Sequence, residues 1–371
     1  MKTLSKLKTN KKLIFVIFAM FLISLISLYA TQKSFSMFSM DLVYRQILWY
    51  SIGFIVIYVV VFLENDFFSK YVWSLYILGN VSLLALLLFA EPINNASRWF
   101  IIPYVGTIQP SEFVKIILIL VVSAMVTKFN NSYDKPSPKE ELFFLLKVGF
   151  FVGIPSVLTF LQPDTGVVII YLVLTLVILF VGGIRYRWFL GFLALLGGAI
   201  TFVLSLFFIS TDLFIKVLGT DFFLRVDRLL DWGSKTGFQL ESGLIAIGNG
   251  TFFGSGIGNT PIYFPEAQTD FIFAVYANNF GFLGVLILFL TFGFLYYVLV
   301  KIAFNSHNFR NHYIVAGFIG ILLYQQLQNI GMTFGLFPLT GITLPFISAG
   351  GSSLLSYMIM VGIIVNIANE K

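Results

Sequence analysis

Apolar residues in this chain occur in long uninterrupted runs, without the strict alternation of a half-buried strand or the one-sided stripe of a soluble surface helix. Ten such runs predict ten helices, at 13–30, 46–63, 71–90, 113–127, 142–161, 167–183, 189–209, 271–300, 313–335 and 353–369. Most approach the ~20 apolar residues that cross a bilayer core. A membrane barrel would show short alternating segments instead. The pattern predicts an all-α polytopic membrane protein of about ten transmembrane helices, a single integral membrane domain over 1–371. The opening MKTLSKLKTNKK has the basic character of a signal-peptide start. The run behind it is too long for a signal core and has no clear small-x-small cleavage site, so it is read as a retained first span.

Three connections between the runs are unusual. One is the segment 91–112, EPINNASRWFIIPYVGTIQPSE; another is the long loop 210–270; the third is 336–353, LFPLTGITLPFISAGGSS. The last is too apolar, and too rich in Pro and Gly, for a plain solvated loop. Irregular apolar backbone at membrane depth is tolerated where it is packed in protein or lines a cavity. If the spans alternate, all three lie on one face and together predict a roofed cavity there. Gln-Pro opens two helices, in QPSE and QPDTG, where a Pro at the first position and an early acid read as capping.

Charge orients this arrangement. Of 23 Lys and Arg, fourteen fall in 1–12, 64–70, 128–141, 184–188, 301–312 and 370–371, and seven on the opposite face. That asymmetry makes the first face, with both termini, cytoplasmic. Eleven of the seventeen acids lie on the exterior side. The net charge of +6 therefore reflects a cytoplasmic face meeting anionic membrane lipids and does not point to nucleic acid. At 58% hydrophobic and 11% charged residues the chain is far from the soluble average. With no cysteine there is no disulfide, thiolate ligand or cysteine nucleophile. His307 and His312 stand without a carboxylate cluster, so no metal site is assigned. The glycines of GLIAIGNGTFFGSGIGN lack the GK[ST] sequel of a phosphate loop and read as tight turns and close packing. No cofactor is expected, and a need for a divalent cation is left open.

The candidate chemistry sits on the exterior face, and each residue has a plain reading beside a functional one. Asp270 opens the eighth span and is either a helix-terminal carboxylate or a general base whose partial burial lifts its pKa toward the working range. Glu266, after Pro265, is a solvated loop acid or a second site carboxylate. Arg98 and Trp99 form an interfacial anchor pair or a clamp on a lipid phosphate. Arg225 and Arg228 lie in FLRVDRLLDW, an amphipathic surface helix or an anion-binding face. Lys115 is unusually deep for a membrane lysine and has Glu112 three residues back as a structural partner. Asp164 in QPDTG caps a helix or meets substrate.

Six segments occur in a telling order: ASRWF (96–100), TIQPSEFVK (107–115), QPDTG (162–166), GFQLESGLIAIGNGTFFGSGIGN (237–259), FPEAQTDFIFAV (264–275) and NIGMTFGLFPLTGITLPFISAGGSSLL (329–355). Together they resemble the SEDS family, the RodA/FtsW peptidoglycan polymerases, over nearly the whole chain. The short N-terminal tail and NIGM look more like the elongation member, RodA, than the division member, FtsW. The resemblance implies a glycosyltransferase that polymerises lipid II at the outer face of the bacterial cytoplasmic membrane. Its partner would be a class B penicillin-binding protein acting as transpeptidase, among other elongation or division machinery proteins. The family's essential acid falls on Asp270 and its Arg-Trp pair on Arg98 and Trp99. Lys115, Asp164, Arg225, Arg228, Gln239 and Glu266 complete the candidate substrate-binding set. After DFIFA the family usually carries an acidic pair, whereas this chain has Asn278 and Asn279, and QLESG replaces a more usual glutamine-serine. A flippase would instead favour ionisable groups at mid-membrane and paired broken helices in two halves, whereas this sequence concentrates its acids on one face and shows no inverted repeat. A non-catalytic cell-wall scaffold remains the reading that Asn278 and Asn279 keep open.

Overall fold

The computed structural model describes residues 10–35, 41–90, 97–102, 106–231 and 237–370. Each of the ten predicted runs corresponds to a helix, with ends that differ by up to several residues. In chain order these are α1 (Lys11–Ser34), α2 (Asp41–Lys70), α3 (Val72–Phe89), α4 (Pro110–Ser132), α5 (Pro138–Leu161), α6 (Thr165–Val181), α7 (Tyr186–Ile209), and then α11 (Ile272–Asn305), α12 (Phe309–Thr333) and α13 (Gly351–Ile367). Seven of them are long and apolar enough to cross a membrane, α6 and α13 are shorter apolar helices, and α4 carries Glu112, Lys115 and Lys128. The chain is a multi-pass helical membrane protein.

Between α7 and α11 the predicted loop contains three further helices: α8 (Thr211–Leu218), α9 (Thr220–Asp231) and α10 (Phe238–Asn249). Ser210 starts α8 by accepting a hydrogen bond from the Leu213 N–H at 3.3 Å. Stacked rings then fold α8, α9 and the end of α7 together, Phe214 on Phe222 and Phe207 on Phe223. The helical spacing read in FLRVDRLLDW is that of α9. The side chains of Arg225 and Arg228 lie outside the described residues. The amphipathic α10 was not foreseen, because its glycines read as turns.

The helical prediction also misses a small hairpin in the 91–112 connection. Strands β1 (Phe100–Ile102) and β2 (Gly106–Ile108) pair antiparallel, with Phe100 opposite Ile108. Two helices break, α2 at the predicted end of the second run and α11 where the prediction runs straight. The backbone of α2 leaves helical geometry at Glu64, and that of α11 at Gly281, whose φ is 61°. A side chain at Gly281 would begin 2.3 Å from the Gly254 nitrogen, so only glycine fits this close approach.

The interior forms along α4, α6, α12 and α13, with α13 packed on α2, α12 on α6 and α11 on α1. Leu118, Ile119, Val121 and Val122 of α4 are essentially inaccessible. By contrast α7 buries none of its residues. A helix apolar on all sides and yet uncovered by protein is solvated by lipid.

Candidate active site

The hairpin returns the chain so that Arg98 and Trp99 enter it while Gln109 leaves it directly into α4. Pro110 takes the first turn, where its missing N–H costs nothing, and Glu112 sits at the positive end of the helix. The backbone N–H of Gln109 donates to Ser352 Oγ at 3.0 Å, and that hydroxyl donates to the Thr107 carbonyl, which ties the hairpin to the start of α13. The Gln109 amide donates to Asp164 Oδ2 at 2.8 Å. Asp164 is itself the N-cap of α6, accepting from the Val167 N–H at 3.4 Å, so Pro163 precedes the cap and does not occupy the first turn. The guanidinium of Arg98 lies 3.8 Å from Asp164 Oδ1, donates to the Gln162 carbonyl at 3.3 Å and also bonds the Pro163 carbonyl. Its face lies over the ring of Trp99.

The opposite wall is the loop bearing Glu266 and Asp270. Asn329, buried in α12, donates one amide group to both the Asp270 carbonyl (2.9 Å) and the Ile342 carbonyl (2.8 Å). Ser348 Oγ donates to the Thr269 carbonyl, and the Ala349 N–H to the Gln268 carbonyl at 2.9 Å. These bonds fasten the Asp270 loop to the apolar 336–353 segment. Ile342, Leu344, Phe346 and Ile347 of that segment are buried, so its irregular backbone is packed in protein as its composition predicts.

Between the two walls lies a cavity of about 460 Å³. Arg98, Trp99, Glu112, Asp164, Glu266 and Asp270 line it, with the glycine-rich start of α13 on one side. Asp270 is half-buried, and its pKa is pushed up to about 7. Burial is the main cause and the negative charge of Glu266 adds to it; the Arg98 cation and a hydrogen bond from Thr269 pull the other way. Asp164 is also raised above the usual carboxylate range, first by burial and then by Glu112, against Arg98, the Val167 N–H and the Gln109 amide.

Lys115 stands behind this cavity, completely buried. Its ammonium pairs with Glu112, donates to Tyr357 Oη at 3.2 Å and lies 4.3 Å from that ring's centre. Tyr357 donates onward to Gln325 Oε1 at 2.9 Å. A buried charge in a membrane helix is tolerable when paired and hydrogen-bonded in this way. Gln239, in α10, donates to the Pro265 carbonyl at 2.8 Å; it supports the loop next to Glu266 and is not among the lining residues. Among the described residues no group of three His, Asp or Glu could hold a metal ion. Gln109, Gln325, Asn329 and Ser352 were not singled out in the sequence. All but Gln325 lie inside the quoted motifs, yet uncharged side chains carry no signal of their own.

Asn278 and Asn279 are fully buried and lie outside the cavity. Asn278 donates to the Ala246 carbonyl and accepts from Ser255 Oγ, each at 2.8 Å. Asn279 donates to the Val275 carbonyl and Thr260 Oγ1, and accepts from the Gly258 N–H at 2.7 Å. They clamp the glycine-rich turn after α10 onto α11. The glycines there are close-packed: a side chain on Gly254 would begin 2.1 Å from the Asn279 carbonyl.

Known proteins are similar to this chain in sequence and in fold. The peptidoglycan glycosyltransferase MrdB of Helicobacter pylori is 34% identical over 332 residues, 87% of this chain and 82% of that protein. A probable peptidoglycan glycosyltransferase FtsW of Hydrogenovibrio crunogenus is 31% identical, over 88% of this chain and 82% of its own. The stage V sporulation protein E of Bacillus subtilis is also 31% identical, over 87% and 86%. Among solved structures, RodA of Thermus thermophilus superposes with a TM-score of 0.70 at 24% identity, covering 96% of this chain and 95% of that one. A chain from a structure described as the coordination of polymerization and crosslinking by a peptidoglycan synthase complex superposes with a TM-score of 0.78, also at 24% identity, covering 96% of each. The profile of the FtsW/RodA/SpoVE family, described as cell cycle protein, matches residues 8–371, and the chain belongs to that family.

Proposed function

We propose that this protein is a peptidoglycan glycosyltransferase that polymerises lipid II into glycan strands, with its active site at the outer face of the bacterial cytoplasmic membrane. The observation that carries the reading is one cavity in which a half-buried carboxylate of raised pKa, Asp270, stands opposite the Arg98 guanidinium. The donor is a glycan on a polyprenyl pyrophosphate, so the leaving group already holds the energy and no nucleotide is required.

In this mechanism the acceptor sugar hydroxyl gives its proton to Asp270 as its oxygen forms a bond to the donor's anomeric carbon. The bond from that carbon to the pyrophosphate oxygen breaks, and polyprenyl pyrophosphate leaves with the electron pair. Arg98 meets the developing negative charge. Glu266 keeps the base weakly acidic, and Arg98 limits that effect. Asp164 positions the guanidinium. Glu112 lines the wall and pairs with Lys115 buried behind it, and Gln239 supports the loop. Arg225 and Arg228 are proposed as anion contacts on α9. The working partners are a class B penicillin-binding protein and other elongation or division machinery proteins. The orientation with both termini cytoplasmic rests on the distribution of Lys and Arg.

The sequence NIGM, at 329–332, favours an elongation role like that of RodA over the division role of FtsW. Depletion strains test this: restoring rod shape without RodA, and not septation without FtsW, is the expected result.

The test of the chemistry is Asp270→Asn, assayed with purified lipid II, the partner present and its transpeptidase blocked. Removing the basic oxygen should cost about 100- to 10,000-fold in rate. Glycan chains in normal yield would refute the base assignment. Absence of chains from the unaltered protein would favour the flippase or scaffold reading.

A further inference from the structure

The end of the bundle remote from Asp270 has a second built cavity. Helix α1 runs antiparallel to α11: its C-terminal Ser34 bonds Thr260, which Asn279 holds in the first half of α11, while its first turn meets the last turns of α11. There a pocket of about 450 Å³ opens between the two helices and the end of α13. Lys11, Lys12 and Lys301 line it, with Tyr297 and Asn305 beside them.

We propose that this pocket binds the headgroup of an anionic phospholipid, with the phosphate held among the three lysines. Among the described residues none of the three forms an ion pair. The carboxylate on the rim, Glu370, already accepts hydrogen bonds from the side-chain amides of Asn65 (2.9 Å) and Asn311 (2.6 Å). Three lysines therefore share the pocket lining with one engaged carboxylate. The pocket borders the surface that lipid must cover: Tyr297 is 55% exposed, and Val300 and Phe304, which flank Lys301, are 41% and 83% exposed. An acyl chain can lie along these apolar side chains while its phosphate enters the pocket. The amphipathic ring of Tyr297 is suited to the level where hydrocarbon meets headgroup. Basic pockets between membrane helices are suited to such headgroups, and a free anion would make no use of the apolar border.

The test is native mass spectrometry of the full-length protein released from nanodiscs holding equal phosphatidylglycerol and phosphatidylcholine. The unaltered protein should retain phosphatidylglycerol preferentially. A Lys11→Gln/Lys12→Gln/Lys301→Gln variant should lose that preference, by about fivefold per lysine. A control triple, Lys70→Gln/Lys135→Gln/Lys139→Gln, removes the same charge elsewhere and should keep it. If the first triple fails to fold, Lys301→Gln alone should still lower the preference about fivefold. Equal retention of the two lipids by the unaltered protein, or equal loss in both triples, overturns the site. Displacement of phosphatidylglycerol by millimolar inorganic phosphate would assign the pocket to free phosphate and overturn the lipid proposal. The readout needs no glycan substrate, so it stands apart from the proposed polymerase activity.

Discussion

Asp270 and the asparagines shortly after it are a few turns apart in sequence and opposite in design. At Asn278 and Asn279 every local demand is met: each amide donates to a backbone carbonyl and accepts from a hydroxyl or an N–H. An aspartate there would face the Ala246 and Val275 carbonyls with nothing to donate while ionised. At Asp270 the backbone is equally well fastened, but the side chain is a carboxylate whose burial and whose neighbour Glu266 both resist ionisation. The first pair serves stability, and the buried polar groups are satisfied. The second position holds its proton near neutrality at a cost to stability, as functional carboxylates do.

Reciprocal substitutions can break this comparison. The largest effect belongs to Asp270→Asn, which should abolish polymerisation and at the same time raise the thermal midpoint. The sign follows from linkage. A folded pKa near 7, against an ordinary 3.8, means the folded state binds the proton more tightly, so this group's contribution falls as pH rises from about 4 through 7. The gain from Asn should therefore be larger at pH 8 than at pH 5, measured by thermal scanning in detergent. A gain that is absent, or the same at both pH values, would contradict the burial account.

Next comes Arg98→Ala, expected to weaken substrate use by about 1.5–3 kcal/mol through loss of a charge-assisted phosphate contact. Unchanged polymerisation kinetics would return Arg98 to an interfacial anchor. The reverse exchange, Asn278→Asp, should leave the Asp270 cavity chemically intact and destabilise the fold by about 1–3 kcal/mol through an unsatisfied buried group. Denaturation midpoints alongside polymerisation rates would separate the two; a loss of rate without loss of stability would draw Asn278 into the chemistry. The smallest effect is on pH dependence. The acidic limb of the rate profile should lie near pH 7, with activity rising as Asp270 loses its proton. It should move to higher pH in Arg98→Ala, because the Arg98 charge pulls that pKa down.

The ten helices were legible because a bilayer selects long apolar runs, and length with hydropathy is a one-dimensional property. The break of α2 at Glu64 falls where the predicted run ends, whereas the break of α11 at Gly281 escapes the pattern because it comes from close packing on Gly254. The hairpin of Phe100–Ile102 with Gly106–Ile108 was missed because three-residue strands leave almost no periodic signal. α10 was missed because glycines in GLIAIGNG read as turns, while its buried face comes from packing on α11. Charged candidates such as Arg98, Asp164 and Asp270 could be named from cost alone, since ionisable groups at membrane depth require a reason.

By itself the sequence determined the membrane class, the places of the ten apolar helices and the segregation of basic from acidic residues, because each depends on composition counted along the chain. Only the tertiary structure decided that Arg98, from a hairpin, and Asp270, from a loop 172 positions later, meet across one cavity. It also decided that Lys115 is sealed behind that cavity, held by Glu112 and Tyr357, and that Asn278 and Asn279 serve as clamps. The physical reason is that burial and the identity of a hydrogen-bond partner are properties of neighbours in space. Helix packing brings those neighbours together over separations at which the linear pattern holds no record of them.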